Sequence, residues 1–277
     1  MKYGYKIIWL LFALAAGLFG GVLRGHELVV CYDDVSGLYT ADYASYVLPA
    51  LCALAFVLFL ICAFSVEGKQ KVPYFTRFSL SRGAMAVQVI AGFLVLAGGA
   101  VLLRSFLREA SIYDLLLGAY TILAGVCLIR LASLRSKESP LLSAKAPGIV
   151  VLFWICFVLL YTFMEHPVEP ILQVFAYDLL AICAAALTLY CHTGRIFEKY
   201  RDRLGVFAAL LAVMLLTTAA FGRVCAFVLS GSLSYLTRVA FRFPVMLALI
   251  LMCAQDAASY LRLPAATETT EEDHAEA

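Results

Sequence analysis

Two aspartates stand inside apolar segments, each in the same tetrapeptide. Asp114 lies in "IYDLLLGAYTILAGVC" and Asp178 in "AYDLLAICAAALTLYC". Two arginines, Arg223 and Arg242, occupy comparable stretches later in the chain. A lone charge in hydrocarbon costs several kcal/mol, so such groups face a bundle interior or a water-filled cavity. Two acids and two guanidiniums at one depth offer two chemistries. They can line a vestibule that binds a small charged solute or ion. They can instead pair with one another and fix the packing of their helices. Asp114, Asp178, Arg223 and Arg242 are therefore the candidate binding residues.

Other chemistries find less support in the residue pattern. "YDLL" loosely resembles the first motif of intramembrane aspartyl proteases, whose second carboxylate comes from a "GxGD". No "GxGD" is present, and a dyad needs both acids in contact to share a proton. "VLSGSLSY" offers serines, but no nearby span supplies a histidine to activate one. His26 and His166 are expected outside, His192 at an inner helix end and His274 in the tail, so no metal-ligand cluster is expected. There is no phosphate-binding P-loop and no lysine well inside a span. No catalytic residue, metal or cofactor is assigned, and an enzyme ranks third among the readings.

The elements that position these residues follow from composition. The chain has 277 residues, 64% hydrophobic and only 14% charged, where a soluble domain carries about a quarter charged. Apolar runs of about 20 residues recur, each enough to cross a ~30 Å hydrocarbon core. Eight spans are expected at about 6–23, 45–65, 83–103, 112–132, 147–164, 170–191, 205–227 and 238–257. Together they make one all-α transmembrane domain over 1–261, with the acidic segment 262–277 expected as a disordered tail. The first span also has features of a signal peptide, but its apolar character runs on to Arg24, long for such a segment. We take it as retained.

Orientation follows from lysine and arginine. With the N-terminus inside, fifteen fall on the inner side and six on the outer, so both termini are expected in the cytoplasm. The pattern is that of a multi-pass protein of a cell membrane, of bacterial cytoplasmic type. A net charge of +2 leaves no basic footprint for nucleic acid. Most of the nine cysteines fall in apolar runs and act as small hydrophobes. A Cys31–Cys225 disulfide on an oxidising outer face is the minor alternative. The loop "VEGKQKVPYFTRFSLSRG" sets basic residues among Tyr74, Phe75 and Phe78, which suggests anchoring on an anionic leaflet. Glu165 to Glu169 reads as an acidic turn, and Asp33 and Asp34 as part of another.

Alternate spans open with an aromatic near the outer end: Tyr46, Tyr113, Tyr177 and Phe241. Four helical hairpins of similar size, repeated in parallel, explain why "YDLL" occurs twice. Tyr113 is 17 residues before Arg130 and Tyr177 is 18 before Arg195, which puts both aspartates ~25 Å above the inner boundary. Asp114 shares its face with Gly118, Thr121 and Gly125; Asp178 shares its face with Ala181, Ile182, Ala185 and Leu189. Small residues mark helix contacts in membranes, so both acids should point inward. "AAGLFGG" and "LAGGA" offer further close-packing faces. Few polar groups lie in the inner halves of the spans, with Gln88 and Thr188 among them. The leading expectation is binding or transport of a small solute, alone or as the membrane subunit of a larger complex. A non-transporting scaffold or sensory subunit is the alternative.

Overall fold

The computed structural model describes residues 2–31, 40–66, 74, 78, 80–136, 141–164, 172–199, 201–233 and 241–261. Eight long helices carry the fold: α1 (Lys2–Val30), α2 (Tyr43–Phe64), α3 (Arg82–Glu109), α4 (Ile112–Ser136), α5 (Leu141–Met164), α6 (Leu172–Ile196), α7 (Asp202–Ser230) and α8 (Arg242–Leu261). All eight are long and apolar enough to cross a membrane. The protein is an all-helical, polytopic integral membrane protein, as the composition requires. The Glu165–Glu169 turn, Asp33, Asp34 and the 262–277 tail lie outside the described residues.

Successive helices pack antiparallel, so the start of α1 and the end of α8 share one face, here the near face. The opposite face is the far face. α7 is the hub: 78% of its apolar stretch is buried, against 28% for α2 at the periphery. Large exposed side chains such as Leu54, Phe56, Phe93, Phe153 and Phe157 form the apolar exterior that a bilayer requires.

The glycine-rich stretches place the backbones. α1 runs parallel to α7 along a stripe of Gly17, Gly21 and Gly25. A Cβ at Gly17 would lie 2.8 Å from the Met214 carbonyl oxygen, at Gly21 3.2 Å from the Gly222 nitrogen, and at Gly25 2.9 Å from the Gly222 carbonyl oxygen. The Thr218 hydroxyl adds a bond to the Gly17 carbonyl at 3.3 Å. In α3 and α4, Gly92 faces Gly125 and Gly99 faces Gly118, with an added Cβ 3.2 and 3.1 Å from the opposing carbonyls. Without a hydrophobic drive between helices in lipid, such close backbone approach is a main source of packing energy.

Several boundaries differ from the expected spans. α1 continues past Arg24 to Val30, because Arg24 and Glu27 pair within the helix at 2.5 Å and are both buried. His26 therefore belongs to a helix end and not to the external loop. α5 begins at Leu141 and runs through Pro147, which was expected to open it. Cys31 and Cys225 are free thiols; Cys31 lies 3.7 Å from the Ser45 hydroxyl, and Cys225 abuts Gly25.

Gly25→Leu should destabilise the fold by about 1–3 kcal/mol, because the α1–α7 seam leaves no room for a side chain. Gly83→Ala, whose Cβ meets nothing within 4 Å, should be neutral or raise stability by up to about 1 kcal/mol, since alanine favours helix. Thermal unfolding of the two variants in detergent checks the contrast; equal melting temperatures would remove the seam argument.

Candidate functional site

At the far face, three of the four candidate residues converge. Asp178 on α6 is buried and its Oδ2 accepts from Arg223 Nη2 on α7. Arg242, the first residue of α8, places Nη1 4.0 Å from the same carboxylate oxygen. One acid thus joins three helices. A second buried pair, Arg24 with Glu27, lies beside it: the Arg24 guanidinium sits 4.8 Å over the ring of Tyr177, the neighbour of Asp178. Asp114 is held differently. Its Oδ1 accepts from the Tyr161 hydroxyl on α5 at 2.8 Å. Tyr161 in turn sets its ring edge-on to Phe241 at 5.9 Å, next to Arg242. Both aspartates point inward on the expected faces, with Gly118, Thr121, Gly125, Ala181, Ile182, Ala185 and Leu189 buried around them.

The near face carries a second polar cluster. Asp256 on α8 is buried, and its Oδ1 lies 3.0 Å from His192 Nδ1 on α6 and 3.9 Å from Arg135 Nη2 on α4. His192 Nε2 is 2.8 Å from the Tyr74 hydroxyl. Burial pushes the Tyr74 phenol above its ordinary pKa, with Arg135 opposing and Asp256 adding to the rise. A neutral imidazole whose Nδ1–H donates to Asp256 accepts from the Tyr74 hydroxyl at Nε2. Arg135 donates from Nη1 to Gln88 Oε1 on α3 at 2.8 Å and from Nε to the Phe78 carbonyl at 2.9 Å. Gln255 Nε2 donates to the Ala84 carbonyl at 2.6 Å. Tyr74 and Phe78 pack edge-on to the imidazole, and Tyr260 packs edge-on to Phe78.

A small space of about 10 Å³ lies among these groups, lined by Gln88, Arg135, His192, Thr193, Gln255 and Asp256 with apolar neighbours. That is room for about one water molecule. Among the described residues, Arg135 Nη2 and Gln255 Oε1 are buried without a hydrogen-bond partner. A third buried pair, Arg195 with Asp202, ties the near ends of α6 and α7 together. Among the described residues, no group of three or more His, Cys, Asp or Glu side chains could hold a metal ion.

The near cluster was not anticipated. In the sequence His192 sits at an inner helix end, Arg135 falls among the fifteen inner basic residues, and Asp256 stands near the end of the last span. Tyr74 and Phe78 are buried, 4% and 0% exposed, not laid on a lipid surface; Phe75 lies outside the described residues. Gln88 alone was noted. A signal was present: "AQDAASY" sets Asp256 among small residues at the same depth as Arg135 and His192, and opposite charges at one depth should pair.

Replacing Asp178 by leucine leaves the buried Arg242 and the half-buried Arg223 without this acid, which should cost about 3 kcal/mol. The double change Asp178→Leu/Arg223→Met should recover part of that loss. Melting temperatures in detergent micelles measure both; a single variant as stable as the parent would mean the pair does not hold the helices. Compared with known protein families, curated proteins and solved structures, the chain matches none, so its site is interpreted from geometry.

Proposed function

We propose that the protein binds a small polar solute or ion inside its helical bundle, alone or as the membrane subunit of a larger complex. The observation that supports this is the near cluster. Asp256, His192 and Arg135 line a space together with Gln255, and Arg135 Nη2 and Gln255 Oε1 are buried without a hydrogen-bond partner among the described residues. Ionisable groups of this kind in membrane spans mark solute or proton paths. Asp114, Asp178, Arg223 and Arg242 then form the far end of the same path, held shut by the Asp178 pairs. A solute larger than one water requires the helices to part.

The second reading is a non-transporting scaffold or sensory subunit. It draws on the closed Asp178–Arg223 pair and on two threonines in the middle of the bundle whose hydroxyls are already committed. Thr188 bonds to its own helix at the Ala184 carbonyl, and Thr121 accepts from Trp154 Nε1 at 3.1 Å.

A thermal-shift panel of alkali halides, phosphate, acetate and free amino acids separates the two. Under the binding reading, one or more of these raises the melting temperature of the parent by a few degrees. Asp256→Asn should remain folded and lose that shift. If nothing in the panel shifts the parent, and Asp256→Asn alters only stability, the scaffold reading stands. We also place both termini in the cytoplasm, from the fifteen-to-six bias in lysine and arginine. A reporter enzyme that works only outside the cytoplasm, fused after Leu261, should be inactive; activity would reverse the orientation.

A further inference from the structure

A second concavity lies on the side of the bundle, where α5 meets the near end of α6. Its volume is about 360 Å³, and its walls are Ile149 and Leu152 from α5, Tyr190, Cys191, Thr193 and Gly194 from α6, and the connection to α7. That connection is shaped by the end of α6. Glu198 N–H bonds to the Arg195 carbonyl at 3.0 Å and Lys199 N–H to the Gly194 carbonyl at 2.8 Å. This is the reversal that closes a helix through a left-handed residue. Here that residue is Glu198, at φ 60°, where glycine is usual. The reversal carries Lys199 back beside Gly194 and lets Arg201 reach over the Tyr190 ring at 5.5 Å.

Two chemistries thus share one groove. The floor is apolar. The rim carries the cations Lys199 and Arg201, with Lys145 on the adjoining wall 5.5 Å from the Phe197 ring centroid. Glu198 is the acid beside them. From the groove, an exposed apolar stripe runs along α5 toward the far face: Ile149, Phe153 and Phe157, each four residues apart. The stripe covers about 12 Å of helix, a length suited to an acyl chain. A free phosphate would meet the cations without needing the floor or the stripe. A peptide segment would leave its backbone polar groups against an apolar wall.

We propose that this groove binds one anionic membrane lipid, its phosphate at Lys199 and Arg201 and an acyl chain along Ile149, Phe153 and Phe157. Basic pockets between spans at a membrane boundary are suited to such headgroups. The proposal is independent of the solute reading, since the groove's cations Lys199 and Arg201 and its floor residues Ile149 and Leu152 take no part in the near cluster. Thr193 lines both and donates to the Gly148 carbonyl at 3.3 Å, so a bound lipid would lie one side chain away from His192.

The test is native mass spectrometry of the purified full chain in a nonionic detergent, titrated with phosphatidylglycerol or phosphatidylcholine. One phosphatidylglycerol per chain should be retained in preference to phosphatidylcholine. Lys199→Gln/Arg201→Gln should weaken this on the order of tenfold; Arg201 precedes α7 without a side-chain cap, so the change leaves that helix start intact. Ile149→Trp fills the floor, leaves the cations in place and should also lose the lipid. Glu198→Gly removes the acid, suits the left-handed turn and should retain or tighten binding. Arg104→Gln/Arg108→Gln, exposed near the end of α3 at the far face, should change nothing. Equal retention of the two lipids, or phosphatidylglycerol binding that survives both groove variants, would overturn the proposal. So would displacement by inorganic phosphate at the lipid's own concentration, which would assign the site to free phosphate.

Discussion

A carboxylate inside hydrocarbon has no water to solvate it, and its cost is met by a partner, which for Asp114, Asp178, Asp202 and Asp256 comes from another helix. That constraint organises this bundle. Asp178 joins α6 to α7 and α8 at the far face. Arg195 and Asp202 join α6 to α7 again at the near face. Asp256 joins α8 to α6 and α4. Apolar packing alone would let these helices slide or rotate, because lipid tails are as good a solvent for leucine as another helix is. A misplaced helix here strands a charge. The ion pairs therefore select one register even where their net contribution to stability is small.

The glycine seams supply the complementary constraint. Along Gly17, Gly21 and Gly25, α1 approaches α7 until backbone atoms set the distance, and α3 meets α4 in the same way. α7 is left enclosed, its middle built from Ala208, Leu210, Ala212, Val213, Leu216 and Ala219, all buried. Small residues fix how close the helices come, and charges fix how far along one another they sit. Neither device does the work of the other.

This division explains what could be read from the amino acids alone. Eight spans, their all-α class and the inward faces of Asp114 and Asp178 follow from local pattern: apolar run length, and small residues at helical spacing. The glycines of "AAGLFGG" and "LAGGA" were legible for the same reason. Partnerships were not. Nothing local says that Asp114 meets Tyr161 while Asp178 meets Arg223, since both acids carry the same tetrapeptide. Nor does hydropathy follow a helix through a neutralised pair, so Arg24 marked an end where Glu27 had made it a midpoint. The near cluster was hidden more deeply. It takes Tyr74, Gln88, Arg135, His192 and Asp256 from five separate parts of the chain, and each passes singly for a boundary residue. Depth matching, used for the aspartates at the outer side, would have found it on the inner side too.

The two polar clusters are not equivalent in how they are satisfied. At the far face Asp178 is shared between Arg223 and a more distant Arg242, and Asp114 accepts from Tyr161. At the near face Asp256 is likewise shared, between an imidazole and a more distant guanidinium, and there a small space lies beside them. A carboxylate that divides itself between two partners gives up less when one of them moves. The helix bearing it, α8, meets α6 through Asp256 and His192 at the near face and through Arg242 and Asp178 at the far face, whereas α1 and α7 are locked through backbone. If the bundle opens to admit a solute, α8 and the α3–α4 pair behind it can separate from α6 without disturbing the glycine seam. The Asp178–Arg242 contact is the far-face link between α6 and α8 that such a movement would stretch. The same arginines that would have lined a vestibule instead tie α6 to α7 and to α8 in this geometry.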